Sequence, residues 1–336
     1  MLGIVIATYN GRHHLEKLLP SLISQSIDAS QYTVVVVDNG STDGTGAFLK
    51  KKYPEIVCIP LSKNKGFARA NNIGITRLFN NTNIEHVVFL NNDTVVSHNF
   101  LEVLHNGASR HKDAASVQTT IVNSNAKDID SVGIIIDKSF SARNRGYGEN
   151  NEGQYDKEEE VFGTTGSAML VRRAALEIAG HALGAYFDPL YFAYNEDVDL
   201  ALRLRLAGFS AWYVPGGEVR HIHSATGGNQ SAFKSFHIHR NTIFNIIKNA
   251  PLGMLFNTIV QFVKRYYSLV KNTKKKNTAE YKLSKNIGIL AMMWLVVRAW
   301  VHVVYYFPQL LYKRNIIQKK KVVSNNYIQK QLTDII

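Results

Sequence analysis

The sequence predicts an α/β protein with a Rossmann-like, mixed but mostly parallel sheet and flanking helices, followed by a basic amphipathic helical segment. Two observations predict the sheet. Short apolar runs alternate with helical patterns, and those runs are apolar on both faces, as strands covered by helices are. A third observation predicts the added segment, because lysine and arginine interleave with long apolar runs from residue 251 onward.

The alternation begins at the N-terminus. The predicted strands are 3–7, 33–37, 56–59, 87–90 and 167–171. The predicted helices are 12–25, 42–52, 66–79 and 200–207, the last of them ended by Gly208. In such sheets ligands bind beyond the carboxyl ends of the strands. Polar residues stand at three of those ends and predict one binding site there: 8–10, 38–40 and 91–93.

The positive charge is concentrated at the C-terminal end. The whole chain carries a net charge of +13, yet residues 241–336 hold 16 Lys and Arg against two acids, whereas the first 240 residues hold 23 against 24. Basic residues among apolar runs are typical of a segment that binds an anionic membrane surface. We therefore expect a membrane partner and no nucleic-acid partner. The predicted domains are residues 1–245 and residues 246–336.

Two helices are predicted in the C-terminal segment. Residues 251–271 show amphipathic spacing. Residues 287–311 are long and apolar enough to span a bilayer, but Arg298, His302 and Gln309 form a polar stripe on one face. An arginine at the centre of a span costs about 2.5–3.5 kcal/mol. We favour a helix lying in the membrane interface, and a true span and a buried soluble helix are the alternatives.

Cysteine usage and the start of the chain bear on the compartment. Cys58 is the only cysteine, so an internal disulfide is excluded. The chain enters an apolar strand at residue 3, which leaves no room for a signal peptide. We expect a catalytic domain on the cytoplasmic face of the cell membrane, held there peripherally.

Two segments suggest how a nucleotide would be held. Asp38 follows a strand of four valines, and a carboxylate fixed there can accept the imide N–H of a pyrimidine ring; the alternative is an ordinary turn leading into a capped helix. Residues 63–74 place Gly66 at a helix start, where Lys65 and Arg69 can offset phosphate charge. The first strand lacks a Gly-x-Gly-x-x-Gly loop, which disfavours a dehydrogenase.

Three acids open the helix that follows residue 195. Glu196, Asp197 and Asp199 can supply a general base near an acceptor hydroxyl. The alternative interpretation is structural: Asn195 is a good N-cap residue, and acids in a first turn interact favourably with the helix dipole. We expect Asn195 to cap the helix in either case.

A metal site is predicted at a strand end. Asp93 can bind Mg²⁺ or Mn²⁺ that bridges the two phosphates of a nucleotide sugar. His221 can add a ligand or contact phosphate, and a zinc site built from the pairs 221/223 and 237/239 is an alternative. The polar residues 121–160 are interpreted as an insertion over the cleft that selects the acceptor.

Seven motifs in order closely resemble family 2 glycosyltransferases, and most of all their bacterial rhamnosyltransferase-like subgroup. They are Ile-Ala-Thr-Tyr-Asn (6–10), Val-Asp-Asn-Gly-Ser-Thr-Asp-Gly-Thr (37–45), Asn-Lys-Gly-Phe-Ala-Arg-Ala-Asn-Asn (64–72), Phe-Leu-Asn-Asn-Asp-Thr (89–94), Gly-Ser-Ala-Met-Leu-Val-Arg (166–172), Tyr-Asn-Glu-Asp-Val-Asp-Leu (194–200) and His-Ile-His-Ser-Ala (221–225). The resemblance covers roughly residues 1–245. It implies a GT-A fold and metal-dependent, inverting sugar transfer.

The resemblance also implies roles for single residues. Asp197 would be the general base, with Glu196 beside it, and Gly166 and Asp199 would lie on the acceptor side. Asp93 and His221 would hold the metal. The residues that would bind the donor are Thr8, Tyr9, Asn10, Asp38, Gly66, Phe67, Arg69 and Asn92. Many members have Asp-x-Asp at the metal motif where this chain has Asn91-Asn92-Asp93, so we expect modest metal affinity.

The predicted function is inverting transfer of a sugar from a nucleotide-diphosphate donor, dTDP-rhamnose or a UDP-sugar, to a saccharide or lipid-linked acceptor in cell-surface polysaccharide synthesis. The alternative is a non-catalytic nucleotide-sugar-binding module of a membrane assembly. The intact Glu196–Asp197 pair favours the enzyme.

Overall fold

The computed structural model describes residues 1–124, 128–181, 183–222, 231–253, 255–256, 259–260, 264, 285 and 288–334. The strands there are β1 (Leu2–Thr8), β2 (Tyr32–Asp38), β3 (Val57–Pro60), β4 (His86–Leu90), β5 (Thr94–Val96), β6 (Ala114–Asn123), β7 (Ile129–Ser131), β8 (Ile134–Ile136), β9 (Ala142–Asn144), β10 (Glu159–Val161), β11 (Ala168–Arg172) and β12 (Ser210–His221). The helices are α1 (Arg12–Ile23), α2 (Thr45–Lys52), α3 (Phe67–Phe79), α4 (Phe100–Arg110), α5 (Arg173–His181), α6 (Glu196–Leu206), α7 (Ala232–Asn249), α8 (Ile289–Lys319) and α9 (Asn325–Gln331).

One mixed sheet organises the fold. Its strand order is β10-β12-β6-β11-β4-β1-β2-β3, with β5 paired to β12 and β7 paired to β6. Strands β1 to β4 are parallel, and β11 enters antiparallel between β4 and β6. The parallel strands bring the ends of β1, β2 and β4 to one edge, as the polar strand ends predicted.

Helices cover both faces of the parallel strands. On one face the leucines of α1 and α4 pack on β1, β2 and β4. On the other face α3, α5 and α6 pack on the alternate side chains of the same strands. Both faces of β1 and β4 are therefore buried, which explains why these strands are apolar throughout. The predicted fold class, the five predicted strands and the helices predicted over 12–25, 42–52, 66–79 and 200–207 are confirmed.

Residues 121–160 form short strands instead of one loose insertion. Strands β7 and β10 join the edges of β6 and β12, and β8 pairs with β9 in a separate hairpin. The segment packs against α6 through Ile134 and Phe140. Part of it therefore belongs to the main sheet, and it lies beside the same strand edge as the predicted site.

The C-terminal helices pack on the back of α6 and α7. Phe244 of α7 and Val303 and Leu310 of α8 share one apolar cluster with Leu202 of α6. Helix α7 runs through residue 245, where the division into two domains was predicted, and that division stays a prediction. The amphipathic helix predicted over 251–271 lies for the most part outside the described residues.

Candidate active site

A cleft of about 460 Å³ opens at the carboxyl edge of the parallel strands. Ten of the predicted site residues line it: Thr8, Tyr9, Gly66, Phe67, Asn92, Asp93, Gly166, Glu196, Asp197 and His221. Four others, Asn10, Asp38, Arg69 and Asp199, are not among the lining residues. The polar strand ends therefore predicted the position of the cleft. They did not distinguish the residues that line it from those that lie behind them.

The loops after β1 and β2 brace each other. The Asn10 N–H donates to Ser41 Oγ (2.8 Å), and the Thr42 N–H donates back to Asn10 Oδ1 (2.8 Å). Asp38 is buried and accepts from the Ser41 N–H (3.0 Å). Asn92 Nδ2 donates to Thr8 Oγ1 (2.8 Å), which joins the ends of β4 and β1. These bonds hold the loops at the strand ends in one shape.

Gly66 is required by a close backbone approach. Its φ is +83°, and a Cβ added there would lie 2.5 Å from the carbonyl oxygen of Phe192. The Ala68 N–H donates to that same oxygen (3.3 Å). The start of α3 is thereby held against the loop that leads into α6. Arg69 is exposed and is not among the lining residues, and its predicted role in binding the donor stays a prediction.

A carboxylate–histidine–carboxylate row lies on the other side. His221 Nε2 lies 3.3 Å from Asp93 Oδ1, and its Nδ1 lies 2.8 Å from Asp130 Oδ2. Burial alone lowers the pKa of His221, but the hydrogen bonds to the two carboxylates outweigh it and raise that pKa to about 9. Asp130 was not predicted as a site residue, because nothing in its local sequence distinguishes it from other acids of the 121–160 segment.

The Asp93–His221 pair fits a divalent cation in part. Within the residues described above, no group of three or more His, Cys, Asp or Glu side chains could hold a metal ion. A carboxylate and an imidazole on one cleft wall are nevertheless suitable ligands for Mg²⁺ or Mn²⁺ when substrate phosphates and water complete the shell. His223 of the alternative zinc site lies outside the described residues, and His237 stacks on Phe192.

The carboxylates of Glu196 and Asp197 face the cleft from the start of α6. The Gly166 N–H donates to Asp197 Oδ2 (2.8 Å), and the Val198 N–H donates to Oδ1 (2.8 Å). Burial raises the pKa of Asp197, and these donors partly oppose the rise. Glu196 is only 6% exposed, and its Oε2 has no hydrogen-bond partner within the described part of the chain. Burial, and then the charge of Asp197, raise the pKa of Glu196 well above its usual value.

The loop before α6 is strained and held by α7. Phe192, Tyr194 and Asn195 have φ values of 63°, 68° and 62°, a conformation that costs energy in residues other than glycine and is common at functional sites. Asn241 Nδ2 donates to the carbonyl oxygens of Ala193 (2.9 Å) and Tyr194 (2.6 Å). Asn241 therefore shapes the entry to the acid pair, a role that its sequence position did not indicate.

Two sequence-based assignments are corrected. Asn195 does not cap α6 through its side chain, because a left-handed residue cannot adopt the extended geometry of a capping residue; its amide donates to Thr242 Oγ1 (3.1 Å) instead. Asp199 does not lie on the acceptor side. It is fully buried and pairs with Lys248 (2.7 Å) and Arg203 (2.9 Å), so α6 turns it away from the cleft.

The model of the family described as "Glycosyl transferase family 2" matches residues 3–178, which is more than half of the chain. The chain belongs to this family. The matched region contains β1 to β4, Asp93 and Gly166. It ends before α6, so the roles of Glu196, Asp197 and His221 stay predictions.

Two curated relatives of this glycosyltransferase are themselves rhamnosyltransferases. The chain is 30% identical over 260 residues to N-acetylglucosaminyl-diphospho-decaprenol L-rhamnosyltransferase of Mycobacterium tuberculosis (strain H37Rv), covering 72% of this chain and 82% of that protein. It is 26% identical over 263 residues to rhamnosyltransferase WbbL of Escherichia coli (strain K12), covering 74% and 92%. The match to the rhamnosyltransferase-like subgroup is confirmed.

Solved structures show the same fold. S. aureus TarS 1-349 in complex with UDP matches with a TM-score of 0.52 and 16% identity, covering all of this chain and 94% of that one. GalNAc-T7 with UDP, GalNAc and Mn²⁺ matches with a TM-score of 0.59 and 14% identity, covering 92% of this chain and 58% of that one. At such identities the likeness establishes the GT-A fold. The family membership establishes that the chain is a glycosyltransferase, which disfavours the non-catalytic alternative.

Proposed function

We propose that this glycosyltransferase moves a sugar, with inversion at the anomeric carbon, from dTDP-rhamnose or a UDP-sugar to a saccharide or lipid-linked acceptor in cell-surface polysaccharide synthesis. The observation that carries the proposal is that one cleft contains both Asp197, a half-buried carboxylate with a raised pKa, and the Asp93–His221 pair. The relative that is named for a diphospho-decaprenol acceptor supports the lipid-linked choice.

The donor would lie along the strand ends. Thr8, Tyr9 and Asn92 line that part of the cleft with Gly66 and Phe67. Asp38 and Asn10 would act from just behind them, through the braced loops. Gly66 would meet the donor with its backbone, because the missing side chain lets the start of α3 pack against Phe192 at the cleft.

Asp93 and His221 would hold a divalent cation, which would neutralise the diphosphate that leaves. The two side chains face each other across 3.3 Å. Asp93 is only 8% exposed, so a charge placed beside it is poorly screened by water.

Asp197 would remove the proton from the acceptor hydroxyl. As that oxygen attacks the anomeric carbon from the side opposite the diphosphate, the proton moves to the Asp197 carboxylate. The Gly166 N–H fixes the orientation of that carboxylate. A raised pKa makes Asp197 a stronger base than an exposed aspartate.

The test is donor-dependent transfer with a panel of nucleotide sugars and Mn²⁺ or Mg²⁺. Asp197→Asn and Asp93→Ala should each reduce transfer by about 10²-fold or more. Glu55→Gln, an exposed acid at the opposite edge of the sheet, is the matched control and should change nothing. Full metal-dependent transfer by both site variants would show that these roles are wrong.

We also propose that the enzyme is peripheral on the cytoplasmic face of an anionic membrane, held by α8. Within the described residues, Leu290–Lys319 is the one helix whose length and composition would let it cross a membrane. Only 11% of its most apolar 18-residue stretch is buried. Its exposed large apolar side chains are Leu290, Met293, Trp294, Val297, Trp300, Val301, Val304, Tyr305, Phe307, Leu311 and Tyr312. Lys319 and Lys320 follow at its end and are also exposed.

The other face of α8 argues for lying on the membrane and against spanning it. Ala299, Val303 and Leu310 are buried, the last two in the cluster shared with α7. Lys313 pairs with the buried Asp188 (2.5 Å). A helix held along one side by the catalytic domain cannot be surrounded by lipid, whereas its free apolar side suits an interfacial position.

Co-sedimentation with vesicles tests this location. The wild-type chain should bind vesicles that contain phosphatidylglycerol, more weakly at high salt. The variant Val297→Glu/Val301→Glu/Val304→Glu should lose most of that binding, because each charge would enter the apolar layer. Ile178→Glu, at an apolar position on α5 that is about as exposed as Val297, should bind as the wild type does. A wild-type chain that stays fully in the supernatant contradicts the proposal.

A further inference from the structure

Asp130 is a buried acid on the cleft wall to which neither the family motifs nor the proposed mechanism gives a role. It is 2% exposed, it lines the cleft, and its Oδ2 lies 2.8 Å from His221 Nδ1. The other ring nitrogen of His221, Nε2, lies 3.3 Å from Asp93. Asp130 therefore fixes the imidazole at Nδ1, and Nε2 faces the carboxylate of Asp93, which is proposed to hold the cation.

Strand pairing holds these three residues in register. His221, the last residue of β12, lies opposite Asn123 of β6 on one side and Thr94 of β5 on the other. Asp93 directly precedes β5, and its carbonyl oxygen accepts from the Ile222 N–H (2.8 Å).

Asp130 belongs to the same frame. It is the middle residue of β7, which pairs with β6 around Ile121 and Val122. Its neighbour Ser131 is fixed in turn, because Gln118 Nε2 donates to Ser131 Oγ (3.0 Å). Side chains carried on paired strands are positioned more accurately than those carried on loops.

An imidazole has two nitrogens, and the partner of one decides the use of the other. A carboxylate at Nδ1 accepts the N–H there, which sets the orientation of the ring and increases the basicity of Nε2, so a cation that displaces the proton on Nε2 meets its lone pair. That lone pair is what a cation needs. A histidine without such a partner rotates about its χ2 angle and can place its proton on the wrong nitrogen.

We propose that Asp130 is a positioning residue for the cation, holding the His221 ring so that Nε2 and the Asp93 carboxylate can bind one ion together. This inference rests on the proposed metal-dependent transfer. It gives the 121–160 segment a role in the metal site, in addition to the expected role in acceptor selection. The rival explanation is a purely structural buried pair between Asp130 and His221, which would affect stability and leave cation affinity unchanged.

Direct Mn²⁺ binding separates the two explanations. Titration of the full chain with Mn²⁺ in the presence of UDP, followed by the electron paramagnetic resonance signal of free Mn²⁺, gives a dissociation constant without any turnover. Asp130→Asn should weaken binding about 10- to 100-fold, the usual effect of losing a carboxylate behind a metal-bound histidine. Asp128→Asn, two residues away on the same segment, is the control and should bind as the wild type does.

A double-mutant cycle shows whether Asp130 acts through His221. His221→Gln should weaken Mn²⁺ binding by itself, and Asp130→Asn should then add less than about 2-fold, because its target is gone. Asp130→Glu keeps the charge but displaces it by one methylene, so it should show the same coupling with a smaller loss. If thermal unfolding shows that Asp130→Asn does not fold, the Mn²⁺ affinity of Asp130→Glu tests the proposal instead.

The failures can be told apart. If the wild type binds Mn²⁺ and the folded Asp130 variants bind it equally well, Asp130 is structural and only this inference is overturned. The same holds if the effects of the Asp130 and His221 variants are simply additive. If the wild type with UDP binds no Mn²⁺, the metal part of the proposed function is wrong, and this inference falls with it.

Discussion

Asp197 and Asp199 are two residues apart on one helix, yet their surroundings shift their pKa values in opposite directions. Asp197 accepts from two backbone N–H groups at the cleft, and its pKa is raised. Asp199 lies on the opposite face of α6, where burial would also raise its pKa, but Lys248 and Arg203 outweigh burial and lower it. The difference is therefore made by the cations around each carboxylate and not by depth alone.

The environment of Asp199 extends into a buried ionic network. Lys248 of α7 lies between Asp199 (2.7 Å) and Asp188 (2.6 Å), and Asp188 also binds Lys313 of α8 (2.5 Å). Lys248 and Lys313 hold the pKa of Asp188 well below its usual range although burial opposes them. These pairs join α7 and α8 to the back of α6, so this end of the acid cluster is structural.

The cleft end has the reverse character. Glu196 lacks a hydrogen-bond partner at Oε2 in the described residues, and the loop before it contains three strained residues. A region that leaves polar groups unsatisfied and backbone strained is the kind that a ligand completes. The comparison teaches that pairing with buried lysine and arginine identifies the structural acid of the cluster, whereas Asp197 at the cleft is held by backbone N–H donors.

The largest expected effect is that Asp197→Asn loses activity and keeps stability, whereas Asp199→Asn loses stability. Asp197→Asn should reduce transfer by about 10²- to 10⁴-fold, the usual contribution of a general base, with little loss of stability. Asp199→Asn should destabilise the fold by about 3 kcal/mol or more, because Arg203 and Lys248 lose their buried counter-charge. Transfer rates and chemical unfolding of both variants check this, and equal losses of activity at equal stability would erase the distinction.

Lys248→Met should have the next largest effect, about 3–5 kcal/mol of unfolding free energy, because it removes the cation shared by Asp188 and Asp199. The fraction of the variant that stays folded should bind the donor with the affinity of the wild type. Urea unfolding measures the first, and the dependence of rate on donor concentration measures the second. A stable Lys248→Met variant would show that Lys313 and Arg203 suffice.

Lys313→Met should cost less, about 1–3 kcal/mol, because Asp188 keeps Lys248 and the side chain of Lys313 is 9% exposed whereas that of Lys248 is fully buried. The loss should appear as easier detachment of α8, seen as faster proteolysis within residues 288–319. Lys319→Met, an exposed lysine on the same helix, is the control. Equal rates of proteolysis for Lys313→Met and Lys319→Met would show that the Lys313–Asp188 pair does not hold α8.

The smallest effect is a pH-dependent gain in stability for Glu196→Gln. The pKa of Glu196 is raised in the folded chain, so the unfolded chain releases its proton first as the pH rises above about 4.5. Wild-type stability is then lost from that pH up to the folded pKa, and glutamine, which does not titrate, avoids the loss. We expect the variant to match the wild type near pH 4.5 and to gain about 1–2 kcal/mol at pH 8. Unfolding curves at the two pH values test this, and a gain at the lower pH would reverse the sign.

Much of the frame could be predicted from the sequence. The alternation of apolar runs and helical patterns located β1 to β4 and α1 to α3, because strands covered on both faces must be apolar throughout. Polar strand ends located the cleft for the same geometric reason. Asp130, Asn241 and Lys248 could not be predicted as parts of the site or its support. Each acts on a residue at least 47 positions away, at a distance that only the folded chain makes short.

The sequence by itself determined the fold class, the family and the position of one acid cluster at the start of one helix. The tertiary structure decided which acid of that cluster faces the cleft, which is locked among lysine and arginine, and which stays without a partner at one oxygen. It did so because the pKa of a carboxylate depends on the burial and the charges around it. For Asp199 the cations are Arg203 of α6 itself and Lys248 of α7, and only folding brings α7 beside α6.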